Sequence, residues 1–457
     1  MVGIPRSSGC LLCVQRRVKC DERRPGCQRC ETYGRPCPGY DRGFKFVPGK
    51  PYRAQRRRRA GTGSAKSHIQ EEPQEVYQPL IEHTNQSSSQ HIIQSLSILI
   101  GDFSTPSSAV SPHIVTRWFG FLPTIYGRNK TLDATIKSFT AHHMGNATGN
   151  QEIIRYGQSA YVEALHRLQR SLNNPTECVS SHIFCAVMLS CLYELFFNTQ
   201  DSESWMKHAK GLSRLAEFRG LDCYRNEFDS ILLKASRGIV IMNSVFSGQE
   251  CFLASESWHI VMKEHCDTFL PAGLGYLIEE FIVYFTFAPS LIHKLYALKQ
   301  ADPASPETRV QMSETLKRTL DMQEKLNAWY DRYSRIALPP RETVSPSEDK
   351  LYPMVLSYSD PTNASVFCGY YSYTVIIHEI LKACSYPGEH EAMTVYFRDQ
   401  ICKSVEYNGR GLLGPYQMAF PLRVAFEVAD PVVKSWIKGW LIRLSNVYPA
   451  LQPQRFE

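Results

Sequence analysis

Residues 10–37 read CLLCVQRRVKCDERRPGCQRCETYGRPC, with cysteines at 10, 13, 20, 27, 30 and 37. The second triplet repeats the first at an offset of 17 residues, each triplet being a two-residue gap followed by a six-residue gap. A two-residue gap lets both thiolates of a pair close on one ion from a single turn, and six further residues return the chain with a third. Thiolate sulfur is a soft donor that suits zinc, and four sulfurs complete a tetrahedral site. Six cysteines therefore fill two sites only when two of them bridge the ions. The competing reading is a disulfide framework. It needs an oxidising compartment, and the N-terminal MVGIPRSSG has no apolar run of the secretory kind.

So small a module cannot bury a stabilising apolar core, so the metals have to hold it together. Its spacing predicts a short helix over Cys13–Lys19, a polar loop over Asp21–Gly26 closed by Pro25-Gly26, and a second helix over Gln28–Gly34. The first helix carries Arg16, Arg17 and Lys19, and the second carries Arg29. An arginine can donate two parallel hydrogen bonds to guanine O6 and N7, while neighbouring cations sit on phosphates. A plain solvated basic face is the bland alternative.

Taken with Arg16-Arg17-Val18-Lys19 ahead of Cys20, the Cys20-Asp21 step and Pro25 before Cys27, the spacing resembles the fungal zinc binuclear cluster (Zn2Cys6) transcription factors. The resemblance implies two zinc ions bridged by Cys10 and Cys27. One ion would take Cys10, Cys13, Cys20 and Cys27, and the other Cys10, Cys27, Cys30 and Cys37. It also assigns the base contact to Arg17, and phosphate-side positions to Arg16, Lys19 and Arg29. The partner it implies is double-stranded DNA bearing a CGG-type triplet, with transcription coactivators and a second copy of the chain as further partners. The function it implies is a nuclear regulator of RNA polymerase II genes, an activator by the family's habits, including the pathway-specific kind. Val14 departs from the pattern, because the family commonly has a basic residue there.

Charge is distributed in keeping with this reading. Residues 1–60 hold 16 Lys and Arg against 4 Asp and Glu, whereas the remainder holds 35 against 40. A basic end on a mildly acidic body suits a head that binds a polyanion. From 41 to 112 the chain reads as a flexible basic linker rich in Pro, Gly and Ser, with Arg56-Arg57-Arg58-Arg59 as a candidate nuclear import signal. Residues 76–112 are Ser/Gln-rich around one apolar patch, Leu96–Ile100, and no heptad pattern supports a coiled coil after the cluster. The nine cysteines beyond the cluster follow no pairing pattern and read as buried reduced thiols. The apolar stretches 183–197 and 276–292 contain Glu194, Glu279, Glu280 and Pro289, which favours core helices over membrane spans.

From 113 to 457 the periodicity is helical. Tyr161, Leu165, Leu168 and Leu172 share a face, as do Val433, Trp436, Trp440, Leu444 and Val447. Trp205, His208, Leu212 and Leu215 fit another helix, and Ser305-Pro306-Glu307 reads as the start of one running through Leu316, Leu326 and Tyr330. The expected fold class is mainly α: a zinc module at 1–40, a linker at 41–112 and one large all-α domain at 113–457. Residues 189–220 and 420–430 resemble the helical regulatory domain found downstream of many fungal zinc clusters, which implies control of output and no chemistry.

Other motifs are weak. Gly409-Arg410-Gly411-Leu412-Leu413-Gly414 matches a dinucleotide fingerprint but follows no strand and precedes Pro415. His378-Glu379 opens a zincin-like pattern, with Lys382 where the second histidine belongs. His142-His143 reads as a loop pair, and 342–361, which mixes acidic and apolar residues, as a plain proline-bearing loop, with coactivator contact as the alternative. The chain is not expected to be an enzyme, since filled thiolate sites leave the cluster no open coordination position and the body shows no nucleophile elbow, phosphate loop or convincing acid–base pair. The alternatives are a zinc-module adaptor without sequence-selective DNA binding and, further off, a helical enzyme with a structural zinc module.

Overall fold

The computed structural model describes residues 10, 12–13, 16–21, 23, 26–35 and 37, then 85–103, 114–197, 204–264, 270, 273–302 and 304–456. The chain forms two compact units, Met1–Gln78 and Pro79–Glu457. Arg56–Arg59 and Val14 lie outside the described residues.

Among the described residues of the first unit, Leu12-Cys13 belong to a helical turn and Gln28–Thr32 form a five-residue helix (α1). The first turn closes earlier than its sequence suggests. Arg17 is left-handed at φ 55°, so Val18, Lys19 and Cys20 leave the helix.

The second unit is mainly α. It opens on Asn85–Phe103 (α2), where the Ser/Gln-rich composition suggested only a transition. Polar residues dominate that helix, yet Leu96, Leu99 and Phe103 recur at three and four residues and are buried together. Phe103 meets Phe119 and Phe196 with ring centroids at 5.2 and 5.3 Å, which ties this helix into the main core. Ile114–Phe119 (α3) and Leu122–Ile125 (α4) follow, then the hairpin of Lys130–Thr148 (α5) and Gln151–Leu172 (α6). Asn150 turns that corner, its side chain accepting from the backbone N–H groups of Glu152 and Ile153.

Ser181–Phe197 (α7) is buried without interruption from Ile183 to Phe196, so it is a core helix. Its one carboxylate, Glu194, accepts from the Tyr161 hydroxyl at 2.7 Å. Ser204–Arg219 (α8) and Glu227–Ser247 (α9) pack on it, and Glu256–Lys263 (α10) packs on α9, with Arg219 and Asp229 forming a buried ion pair at 2.6 Å. The second apolar stretch divides into Leu274–Phe285 (α11) and Ala288–Gln300 (α12), and Leu277, Phe281, Val283 and Leu291 face the same core. Glu279 is buried but paired with Arg237 and Lys234.

Pro306–Ile336 (α13) begins at the proline that the sequence marks. Residues 342–361 are not a plain loop. Arg341–Val344 (β1) pairs antiparallel with Met354–Ser357 (β2), Arg341 opposite Ser357, and these are the two strands among the described residues. Pro361–Ala383 (α14), His390–Asn408 (α15), Gly414–Glu427 (α16) and Pro431–Ser445 (α17) complete the body. In α17 the buried stripe is Val433, Ile437, Leu441 and Leu444. The expected face is rotated because Trp436 stays at the rim, where its indole N–H donates to Asp349 Oδ2 at 2.6 Å.

The set-aside motifs find structural explanations. Gly409–Gly414 is the turn between α15 and α16, and a Cβ on Gly414 would lie 2.3 Å from the Gly409 carbonyl carbon. The glycine serves chain crossing there. His142 and His143 sit inside helix α5, not in a loop, and both are buried. His142 Nδ1 pairs with the Tyr193 hydroxyl at 2.7 Å, and His143 Nε2 with Asp102 Oδ2 at 2.8 Å. His378 meets His390 at 3.1 Å, while Lys382 pairs with Glu379 and Glu391.

Candidate metal centre and nucleic-acid interface

Among the described residues of the first unit, the buried ones are Cys10, Cys13, Cys27 and Cys30, with Leu12, Cys20 and Cys37 packed partly against them. The thiols fall into two overlapping sets, Cys10, Cys13, Cys20, Cys27 and Cys10, Cys27, Cys30, Cys37, each with its donor atoms within 4.8 Å of one another. Cys10 and Cys27 belong to both sets.

Sulfurs that share one tetrahedral zinc at about 2.3 Å lie about 3.8 Å apart. The Cys10–Cys27, Cys13–Cys27 and Cys10–Cys30 Sγ separations are each 3.6 Å. That is close to a tetrahedral edge and far from the roughly 2.05 Å of a disulfide. Burial pushes the Cys13 thiol up to about 12, with the Cys10 thiol adding to it. Burial raises Cys27 and Cys30 as well. Thiols packed this closely ionise readily only around a cation, which zinc supplies. Backbone N–H groups also point at sulfur: Cys13 N to Cys10 Sγ at 3.4 Å and Cys10 N to Cys20 Sγ at 3.5 Å. The residues present fit two zinc ions, and four sulfurs around each make the site structural.

Asp21 joins the two halves. Its carboxylate accepts from the backbone N–H of Gln28 at 3.0 Å and of Arg29 at 3.4 Å, at the start of α1. The Gln28 N–H holds that carboxyl below its usual range. Sequence spacing marks Asp21 only as a neighbour of Cys20, because its partners lie across the loop.

The cations divide by environment. Arg17, Lys19 and Arg29 are exposed. Arg16 is half-buried, and its guanidinium lies over the Tyr33 ring, 3.3 Å from the centroid. That stack goes beyond the sequence reading, although the 17-residue repeat places Arg16 and Tyr33 at equivalent positions.

A thiolate-zinc head that exposes basic side chains, on a chain whose bulk is helical, defines a zinc-dependent DNA-binding protein. Residues 8–45 match the fungal Zn(2)-Cys(6) binuclear cluster domain, and residues 102–376 match the fungal specific transcription factor domain. The second match covers more than half the chain, which therefore belongs to the fungal zinc-cluster transcription factors and carries two zinc ions. It is similar to the aspercryptin biosynthesis cluster-specific transcription regulator of Emericella nidulans, 38% identical over 86 residues, covering 17% of this chain and 14% of that protein. White-opaque regulator 2 of Candida albicans is 49% identical over 43 residues, 9% and 10% of the two chains. Arginine metabolism regulation protein II of Saccharomyces cerevisiae is 59% identical over 34 residues, 7% and 4%. The matched stretches span less than a third of these relatives' own lengths. No solved structure matches the chain.

Proposed function

We propose that the chain is a nuclear, sequence-specific regulator of RNA polymerase II transcription that reads a CGG-type triplet and acts as a pathway-specific activator. The observation that carries this reading is the pair of thiol sets sharing Cys10 and Cys27, beside the exposed Arg17 and Lys19. Cys10, Cys13, Cys20 and Cys27 hold one zinc, and Cys10, Cys27, Cys30 and Cys37 the other. Arg17 donates to guanine in the major groove, and Lys19 and Arg29 contact phosphates. The name of the Emericella nidulans relative supports the pathway-specific role.

The parts divide as a head at 1–40, a linker from 41 that carries the import signal Arg56–Arg59, and a helical body. The buried face of α2 favours starting that body near 85 in place of 113. The body is regulatory and non-catalytic, contacting coactivators and a second copy of the chain. Its match to the fungal specific transcription factor domain supports the regulatory part of this reading.

Selection of binding sites from a random DNA library with the zinc-loaded full chain tests the reading. A recovered triplet consensus supports it. Uniform, salt-sensitive binding without a consensus rejects it and favours a zinc-module adaptor.

A further inference from the structure

The 17-residue register relates more than cysteines, because it also pairs Arg16 with Tyr33 and Arg17 with Gly34. The two halves leave their helical turns in the same way. The Val18 N–H donates to the Cys13 carbonyl at 3.1 Å, and the Arg35 N–H to the Cys30 carbonyl at 3.2 Å. Ahead of each donor stands a left-handed residue, Arg17 at φ 55° and Gly34 at φ 74°. This six-to-one closure around a left-handed residue is a common helix ending, and glycine is its usual occupant. An arginine there is strained, so the surrounding structure has to impose the conformation.

The stack of Arg16 on Tyr33 supplies such a constraint. It joins the two halves one residue before each left-handed turn, on the pair of positions that the repeat makes equivalent. Arg16 is half-buried in this contact, whereas Arg17, Lys19 and Arg29 are exposed. We infer that Arg16 and Tyr33 are positioning residues for DNA readout. Their stack braces the halves and holds Arg17 in the left-handed conformation that aims its side chain, and Arg16 does not serve as a phosphate contact. This rests on Arg17 being the reading residue.

The test uses the zinc-loaded full chain and fluorescence anisotropy on the selected DNA site and on a scrambled site, at several salt concentrations. Tyr33→Leu and Arg16→Gln should each lower the ratio of selected to scrambled affinity about two- to fivefold, the range for an exposed cation–π contact. Tyr33→Phe, which keeps the ring face, should retain the wild-type ratio. All three should keep two zinc ions per chain by metal analysis and the wild-type slope of log affinity against log salt. A slope that falls by about 0.9 in Arg16→Gln marks Arg16 as a phosphate contact and overturns the inference. Equal ratios for Tyr33→Leu and Tyr33→Phe overturn it as well. Should Tyr33→Leu lose zinc, Arg16→Gln and Arg16→Lys decide the question, with Lys restoring part of the ratio if the stack matters. A wild-type chain with no preferred site removes the DNA reading itself, whereas an intact wild-type preference with indifferent variants removes only the brace.

Discussion

The head and the body are stabilised by different physics. The head buries four cysteines and otherwise turns its described side chains outward or onto one another, so its shape depends on ions. The body buries a continuous core that runs from Leu96 to Phe456 and includes nearly the whole of α7 and α14. Its polar groups are taken up internally, as in the Arg219–Asp229 and Arg237–Glu279 pairs. A short segment can keep a defined surface by metal ligation, while a long one keeps its surface through apolar area.

Zinc removal gives the largest expected separation. A chelator should abolish DNA binding, yet leave the denaturant transition followed by tryptophan fluorescence unchanged, because all six tryptophans lie in the body. A body transition that moves with zinc content breaks the comparison.

Cutting the body's core is the converse perturbation. Trp329 is fully buried, donates its indole N–H to the Leu277 carbonyl at 2.7 Å and stacks on Tyr333. Trp329→Ala should cost about 3–5 kcal/mol in urea unfolding of the body. Zinc content should stay at the wild-type level.

Acid provides a graded version. Burial depresses His142 to about 4, and burial together with the neighbouring His390 depresses His378 to about 4. The unfolded chain takes up these protons from about 6.5, and the folded chain resists until about 4. The unfolded state therefore binds more protons in that window, so stability is complete above about 6.5 and declines as pH falls toward 4. Urea midpoints read by tryptophan fluorescence should follow that slope, and His142→Gln should flatten it. Midpoints that stay constant between these pH values contradict the assignment.

Within the head, Arg17→Ala should cost about 1–3 kcal/mol on the selected DNA site while barely changing scrambled-site affinity. Equal losses on both sites would make Arg17 a phosphate contact. Arg17→Gly is subtler. It should lose the same selectivity and yet hold zinc more tightly by about 1 kcal/mol, since glycine removes the left-handed penalty. Competition with a chromogenic chelator measures this. Gly34→Ala should shift zinc retention the other way, because its φ of 74° is strained for alanine even though nothing lies within 4 Å of the added Cβ.

The metal centre was legible from spacing because ligands separated by two and six residues reach a common ion through local chain geometry. The starts of helices were legible where proline or a capping residue marks them, as at Pro306. Less legible were features that depend on which face meets which neighbour. α2 looks polar until Leu96, Leu99 and Phe103 meet Phe119 and Phe196. The face of α17 shifts by one residue because an indole N–H reaches Asp349. His142 and His143 read as a loop pair until the fold buries them in α5 against Tyr193 and Asp102.

By itself the sequence determined the zinc-cluster head, its six thiols and the helical character of the body, because these follow from covalent spacing and from periodicity along one chain. Tertiary structure alone decided that Arg16 lies on Tyr33, that Arg17 is left-handed and that Asp21 caps α1. Those three are contacts or conformations set by how the two halves of the repeat fold onto each other. Local sequence names the groups involved, and only the folded chain brings them within reach.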